Sequence, residues 1–449
     1  MNTKTNQTTG RIVPIIMMII LFGMIAFVTN LAAPMGQVLK VQFGVSNFQG
    51  LLGNAANFIA YFVMGIPGGI LLTKVGYKKT ALTAIAVGFV GVFIQFLSGY
   101  APETMAFGVY LLGAFVAGFS MCLLNIVVNP MLNTLGGGGN KGNQLIQIGG
   151  TFNSLMATFT PVFVGILIGR VAKANITDVF PVMYIAMSVF AVLFFVMMAV
   201  RIPEPYIVKN KESLKSLMGG ALKFRHFVLG AIAIFVYIGV EVGSPSVMFL
   251  WLSDLPDVGE TTAGFVAGTY WFLMLIGRLG GASIGGKVSS KAMMTVASSV
   301  GLIFILLAIF LPETIMVSMP VFNVEAGSQL FGLAQVPIGA MFIVLLGLCT
   351  SIMWGGIYNL AVEGLGKYLA AASGIFMVMV VGGGVITAFQ GWVADITGYM
   401  ASYWVIIAAL AYLLFYALVG SKNVNTDISV EDIDPDVPVD LTPESLPTE

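Results

Sequence analysis

The sequence predicts an all-α membrane protein of twelve transmembrane helices, arranged as two six-helix halves. Three observations lead there. The 449 residues are 58% hydrophobic and only 9% charged, with a mean hydropathy of +0.97, whereas a soluble domain is about 25% charged. So few charges cannot build a water-facing surface, which excludes a soluble enzyme. Apolar runs of about twenty residues, the length that crosses a hydrocarbon core, recur through the chain. The longest polar gap inside the membrane part falls at mid-chain, RIPEPYIVKNKESLKSLMGGALKFRHF, and carries six of the twenty bases.

In order, the runs of the first half are roughly 12–33, 50–73, 80–100, 105–133, 146–170 and 180–200. Those of the second are roughly 227–252, 261–286, 292–311, 338–361, 370–393 and 399–419. Breaks fall at KVGYKK, APET, GGGGNKGN, SDLPDVGET, SSK, the PETIM to AQVP stretch, LGK and ADITG. The chain is thus expected to divide into a first half (1–200), a central loop (201–226), a second half (227–420) and a tail (421–449). ILLTKVGYK (70–78) and SIGGKVSSK (283–291) end the second helix of each half, with Gly-Gly upstream of both. Such a two-fold repeat is common among transporters. The tail holds eight of the twenty acids and no apolar run, so it is expected to be disordered and soluble.

Lys and Arg set the expected orientation. One side collects Lys4, Arg11, Lys74, Lys78, Lys79, Lys141, the central loop, Lys287, Lys291, Lys367 and Lys422. The other holds Lys40, Arg170 and Lys173. The rule that cytoplasmic loops are basic places both termini in the cytoplasm. Cys122, Cys349 and a single His226 offer no disulfide framework, metal cluster or catalytic triad. GGGG (136–139) lacks the Gly-Lys-Ser/Thr ending of a phosphate loop. No nucleophile–base pair lies in the spans, so no enzyme, cofactor or nucleic-acid partner is expected. The expected partners are the bilayer and a small molecule.

Polar groups in lipid are costly and point to function. Glu241, in FVYIGVEVGSPSVMF, is the one carboxylate deep in a span, and it suits cation coupling or substrate contact. A neutral Glu in a structural hydrogen bond is the plainer alternative. Amides cluster at Asn30, Asn125, Asn129, Gln147, Asn153, Asn359 and Gln390, with Tyr237 and Trp354 as aromatic neighbours. Neutral amides beside an aromatic plate suit a sugar, whose hydroxyls donate and accept and whose C–H face stacks. Any single amide equally suits interhelical hydrogen bonding. Arg278, near the end of the eighth span, fits either a gating ion pair or snorkelling to phosphates. Glu363, four residues before Lys367, could join that gate.

Several segments carry a family resemblance: FVTNLAAP (27–34), LNIVVNP (124–130), GGTFNS (149–154), VYIGVEVGSPS (236–246), YWFLMLIGRLGG (270–281), SIMWGGIYNLAVEGLGKY (351–368) and GGGVITAFQGWVAD (382–395). They lie in both halves and span roughly residues 12–420. With the six-plus-six layout, they make the chain similar to the major facilitator superfamily and, within it, to the fucose–proton symporter family, which includes bacterial glucose/galactose transporters. The resemblance implies alternating access around a site between the halves. It also implies import of a neutral sugar across a bacterial inner membrane, with a proton or sodium ion as coupling ion, by a monomer. An uncoupled uniporter and an exporter of a non-sugar compound are the alternatives. The chain departs from the family where carboxylates are usual: Ala33 and Asn125 stand in their places. Gly150 stands for a Gln, Trp354 for a Phe and Thr73 for the Asp of the superfamily's loop motif.

Overall fold

A computed structural model describes residues 12–29, 47–168, 176–204, 214–322, 331–428 and 430. Ten helical stretches are long and apolar enough to cross a membrane. One of them is double: the helical stretch Asn47–Leu97 breaks at Gly76 (φ 83, ψ 179), separating α2 (47–75) from α3 (77–97). Gly139–Ile168 adds a further long helix, whose polar opening GNKGNQLIQ lowers its hydropathy. Among the described residues this makes twelve long helices, as the apolar runs predict. They are α1 (Ile12–Thr29), α2, α3, α4 (Glu103–Leu135), α5 (Gly139–Ile168), α6 (Phe180–Ala199), α7 (Arg225–Asp254), α8 (Gly259–Ile284), α9 (Ser290–Phe310), α10 (Ile338–Ala361), α11 (Gly366–Thr397) and α12 (Tyr399–Gly420). The end of the bundle that carries Lys74, Lys78, Lys141, Lys287 and Lys291 is its basic end.

Gly76 shows how the local sequence sets a break. Its positive φ is one that L side chains avoid, and a Cβ there would lie 2.6 Å from Glu204 Oε2. Glu204 accepts the N–H of Tyr77 at 2.6 Å and of Lys78 at 2.9 Å, two of the donors that a helix start leaves unpaired. Burial pushes the Glu204 carboxyl above its ordinary range, outweighing the downward pull of those N–H groups and of Lys78 and Lys79.

The most extensive contacts between the halves are those of α2 with α11 and of α5 with α8. The first contact is built on missing side chains. A Cβ on Gly374 would lie 2.7 Å from Gly65 O and 2.9 Å from Gly69 Cα. Backbones can approach this closely only at small residues.

Three features differ from the helical reading. The PETIM to AQVP stretch is a two-stranded antiparallel hairpin, β1 (Met316–Phe322) and β2 (Phe331–Pro337). It is pinned to α8: Phe322 N–H donates to Thr269 Oγ1 at 2.8 Å, and the Phe322 and Phe272 rings stack with centroids 4.7 Å apart. The central segment contains a short helix, Leu214–Ala221. The start of the tail follows the protein surface, and Asn425 Oδ1 accepts the Arg225 N–H that opens α7, at 2.9 Å.

Candidate functional site

The polar centre of the molecule is built around α7 and α8. Tyr237 and Glu241 are four residues apart, so they share a face of α7, and the Tyr237 hydroxyl donates to Glu241 Oε1 at 2.8 Å. Arg278 Nη2 lies 3.3 Å from the same oxygen. Both partners are 9% exposed, so the pair is sealed inside the bundle. Arg278 is therefore an interior residue, six positions before the end of α8, and its guanidinium does not reach toward the membrane surface.

The Nη1 end of the guanidinium crosses between the halves. Nη1 donates to Ser154 Oγ at 2.8 Å, Gly150 O at 3.1 Å and Asn153 Oδ1 at 3.3 Å, all on α5. Nε donates to Ser351 O at 3.2 Å. Ser351 sits where α10 is interrupted, between Ile338–Thr350 and Met353–Ala361. Asn153 is held from its other side, Nδ2 donating to Phe22 O at 2.8 Å. A single cation thus ties α5, α7, α8 and α10 together, using the rigid fork of donors that suits Arg to such a place.

The amides form a second chain. Asn125 Nδ2 donates to Tyr61 OH at 2.7 Å, and Asn129 Nδ2 to Asn125 Oδ1 at 3.1 Å. Trp354 Nε1 closes the chain on Asn129 Oδ1 at 3.0 Å. The half-buried Trp354 ring stands 6.5 Å from the ring of Tyr237, so the amide chain of α4 ends beside the Glu241 centre. The chain continues at the basic end. Asn133 Nδ2 donates to Asn359 Oδ1 at 2.7 Å, and Asn359 Nδ2 to Ser290 Oγ at 3.0 Å. Gln147 Nε2 donates to Ile352 O at 2.8 Å and Gln144 Nε2 to Ala282 O at 3.0 Å. Asn133–Asn359, Gln147–Ile352 and Gln144–Ala282 thus join the halves toward the basic end, whereas Arg278 with α5 and Trp354 with Asn129 join them beside Glu241.

The candidates of the sequence are therefore not one ring. Tyr237, Glu241, Arg278 and Asn153 meet directly. Asn125, Asn129 and Trp354 adjoin them. Gln147 and Asn359 sit in the closed basic end. Glu363 is exposed, and Gly364 and Gly366, both at positive φ, separate it from Lys367, so the two do not share a helix face. Gln390 is fully buried on α11 against Gly243. Asn30 lies outside the described residues. Asn133, Ser154 and Ser351 escaped the sequence reading. Asn133 carried a signal, since it continues the four-residue spacing of Asn125 and Asn129.

Known proteins share this architecture. Residues 15–338 match the family model described as Major Facilitator Superfamily. A glucose/galactose transporter of Brucella abortus biovar 1 (strain 9-941) is 29% identical over 440 residues, covering 94% of this chain and 98% of that one. The L-fucose-proton symporter of Escherichia coli (strain K12) is 23% identical over 420 residues, covering 87% and 89%. The crystal structure of FucP, a Major Facilitator Superfamily transporter, in the outward conformation aligns with a TM-score of 0.76 at 19% identity, covering 91% of this chain and 98% of that one.

Proposed function

The chain belongs to the Major Facilitator Superfamily, and from that premise we propose that it is a secondary active transporter. It imports a neutral sugar by alternating access and couples that import to a proton at Glu241. The observation that carries this reading is the Glu241–Arg278 pair, whose cation also holds the other half of the protein. A mid-membrane charge costs about 2.5–3.5 kcal/mol on insertion scales. A pair of charges kept there is best explained by a task. The arrangement suits coupling in a definite way. Protonation makes Glu241 neutral and removes the charge that Arg278 pairs with, so the grip of α8 on α7 and α5 changes with the proton. The basic end is closed, so loading occurs from the opposite face, which the Lys and Arg distribution makes the outer one.

A sugar fits the surroundings. The groups around the pair are amides, hydroxyls and two aromatic rings, which match hydroxyls and a C–H face without a net charge. Relatives over nearly the whole chain are named for glucose, galactose and fucose transport. Asn153, Asn129 and Asn125 already hold protein partners, so the sugar exchanges with those bonds as it binds, and binding is thereby linked to the gate.

The test is uptake by purified protein in liposomes. Labelled hexoses, deoxyhexoses and amino sugars are offered with a proton gradient, a sodium gradient or neither. Uphill uptake on the proton gradient supports the proposal. Uptake driven by sodium, or downhill flux alone, replaces the proton. No flux of any sugar by folded protein overturns the substrate class.

A further inference from the structure

Helices α1, α5 and α6 leave a cavity of about 430 Å³ between them. Its α5 wall is Phe152, Met156, Phe159 and Phe163, whose steps of four, three and four place them on one helix face. Met24 of α1 and Val189 of α6 stand among the other walls. Thr160 is the one polar side chain of the lining, and its hydroxyl donates back to Met156 O within α5. The lining therefore has no strong hydrogen-bonding group to spare. That excludes a sugar or an ion as occupant, and an apolar cavity of this kind does not hold water. The rim opens sideways. Phe159, Phe163 and Ile185 are exposed there, at 43%, 36% and 36%, and all three lie within membrane-crossing helices. Val192 and Phe195, elsewhere on α6, are more exposed still. Among the described residues the cavity is thus continuous with the surface that the bilayer covers.

We propose that this cavity binds one acyl chain of a phospholipid, in the leaflet away from the basic end. Position supports that leaflet. Helix α5 starts at the basic end, beside Lys141, and the cavity begins only at Phe152. Gly23 meets Phe152 and Phe27 meets Phe163, so α1 runs beside α5 in the same direction. Size supports a single chain. Phe152 to Phe163 is about 16 Å of helix at 1.5 Å per residue, roughly half of a hydrocarbon core. A water takes about 30 Å³ and a methylene group much the same, so the volume holds about fourteen chain carbons. A helix of a second copy is about 10 Å across and would need roughly 1,200 Å³ over that length. The back wall gives the chain a role. Phe152 packs so closely on Gly23 that a Cβ there would lie 2.5 Å from its ring. The next residue, Asn153, donates to Phe22 O and, with Gly150 and Ser154, accepts from Arg278 on another face of α5. The bound chain fills the space behind the stretch of α5 that Arg278 grips, and so braces α1, α5 and α6 against one another. This holds whichever solute is carried.

The test is native mass spectrometry of the full chain, extracted in detergent and washed until loosely held lipid is gone. Wild-type protein should keep one phospholipid. Val189→Trp puts a ring into the cavity and should keep none, whereas Val192→Trp, on the exposed side of α6, should keep one. Ile185→Trp, at the rim, serves where Val189→Trp impairs folding, and should lose the lipid as well. Dioleoyl phosphatidylethanolamine added to lipid-stripped protein should raise Tm in the wild type and in Val192→Trp, and leave it unchanged in Val189→Trp. Equal retention and equal stabilisation in Val189→Trp and Val192→Trp would show a general lipid coat only and overturn the site. Wild-type protein that keeps no phospholipid would overturn it too, as would a dimer that Val189→Trp dissociates, which would put a second copy of the chain in the cavity.

Discussion

Arg278 Nη2 and Glu241 Oε1 stand 3.3 Å apart inside the bundle, and the same guanidinium holds the backbone of Gly150 in the other half. One residue therefore reads the charge of Glu241 and grips the opposing half. Its partners define what should fail when either is changed.

Glu241→Gln keeps the shape and removes the titration. Uphill accumulation should be lost while exchange between labelled and unlabelled sugar continues. Preserved accumulation in this variant would remove Glu241 from the coupling role.

Arg278→Gln should be far more damaging to stability than Glu241→Gln combined with it. Removing one partner of a buried pair strands the other charge, at about 3–5 kcal/mol. The double variant Glu241→Gln/Arg278→Gln leaves no stranded charge and should regain much of the lost thermal stability. Thermal unfolding of the three variants in detergent checks the order.

Gly374→Val should open the basic end. The added side chain meets Gly65 O and Gly69 Cα, backbone that cannot step aside while α2 and α11 remain in contact. A cysteine placed at Asn133, which is buried in the closed gate, should resist a water-soluble thiol reagent alone and react in the Gly374→Val background. Cys122 and Cys349 are both buried, which keeps the background low.

Glu204 carries a pH signature. Its folded-state pKa is raised by burial. A raised value makes its stability share full below the unfolded-state pKa and lost as pH rises through the folded-state one. Glu204→Gln should flatten the thermal-stability profile across that window. An unchanged slope would place the titration elsewhere.

The path from sequence to structure was uneven for physical reasons. Twelve crossings were legible because each needs about twenty apolar residues, and nothing else in the chain imitates that. Glu241 stood out because a carboxylate in a span must be explained. Its partner was harder to see. Position along α8 suggests that Arg278 lies near the membrane edge, but a long side chain can reach inward as well as outward, and only packing decides. Asn133 closes the fourth apolar run of the sequence, and its position at the run's end makes it read as a boundary residue although α4 continues to Leu135. The β1–β2 hairpin had no clear alternation to announce it, since both strands carry Pro and small residues. The separation of Gln147 and Asn359 from the Glu241 centre depends on how two halves dock, which no local pattern records.

Coupling at Glu241 is read most directly from proton movement itself. Protein in weakly buffered liposomes is given the sugar it carries, with no gradient imposed, and external pH is followed. Alkalinisation should begin with sugar entry and be absent in Glu241→Gln. Sugar entry with no accompanying pH change in the wild-type protein would contradict it.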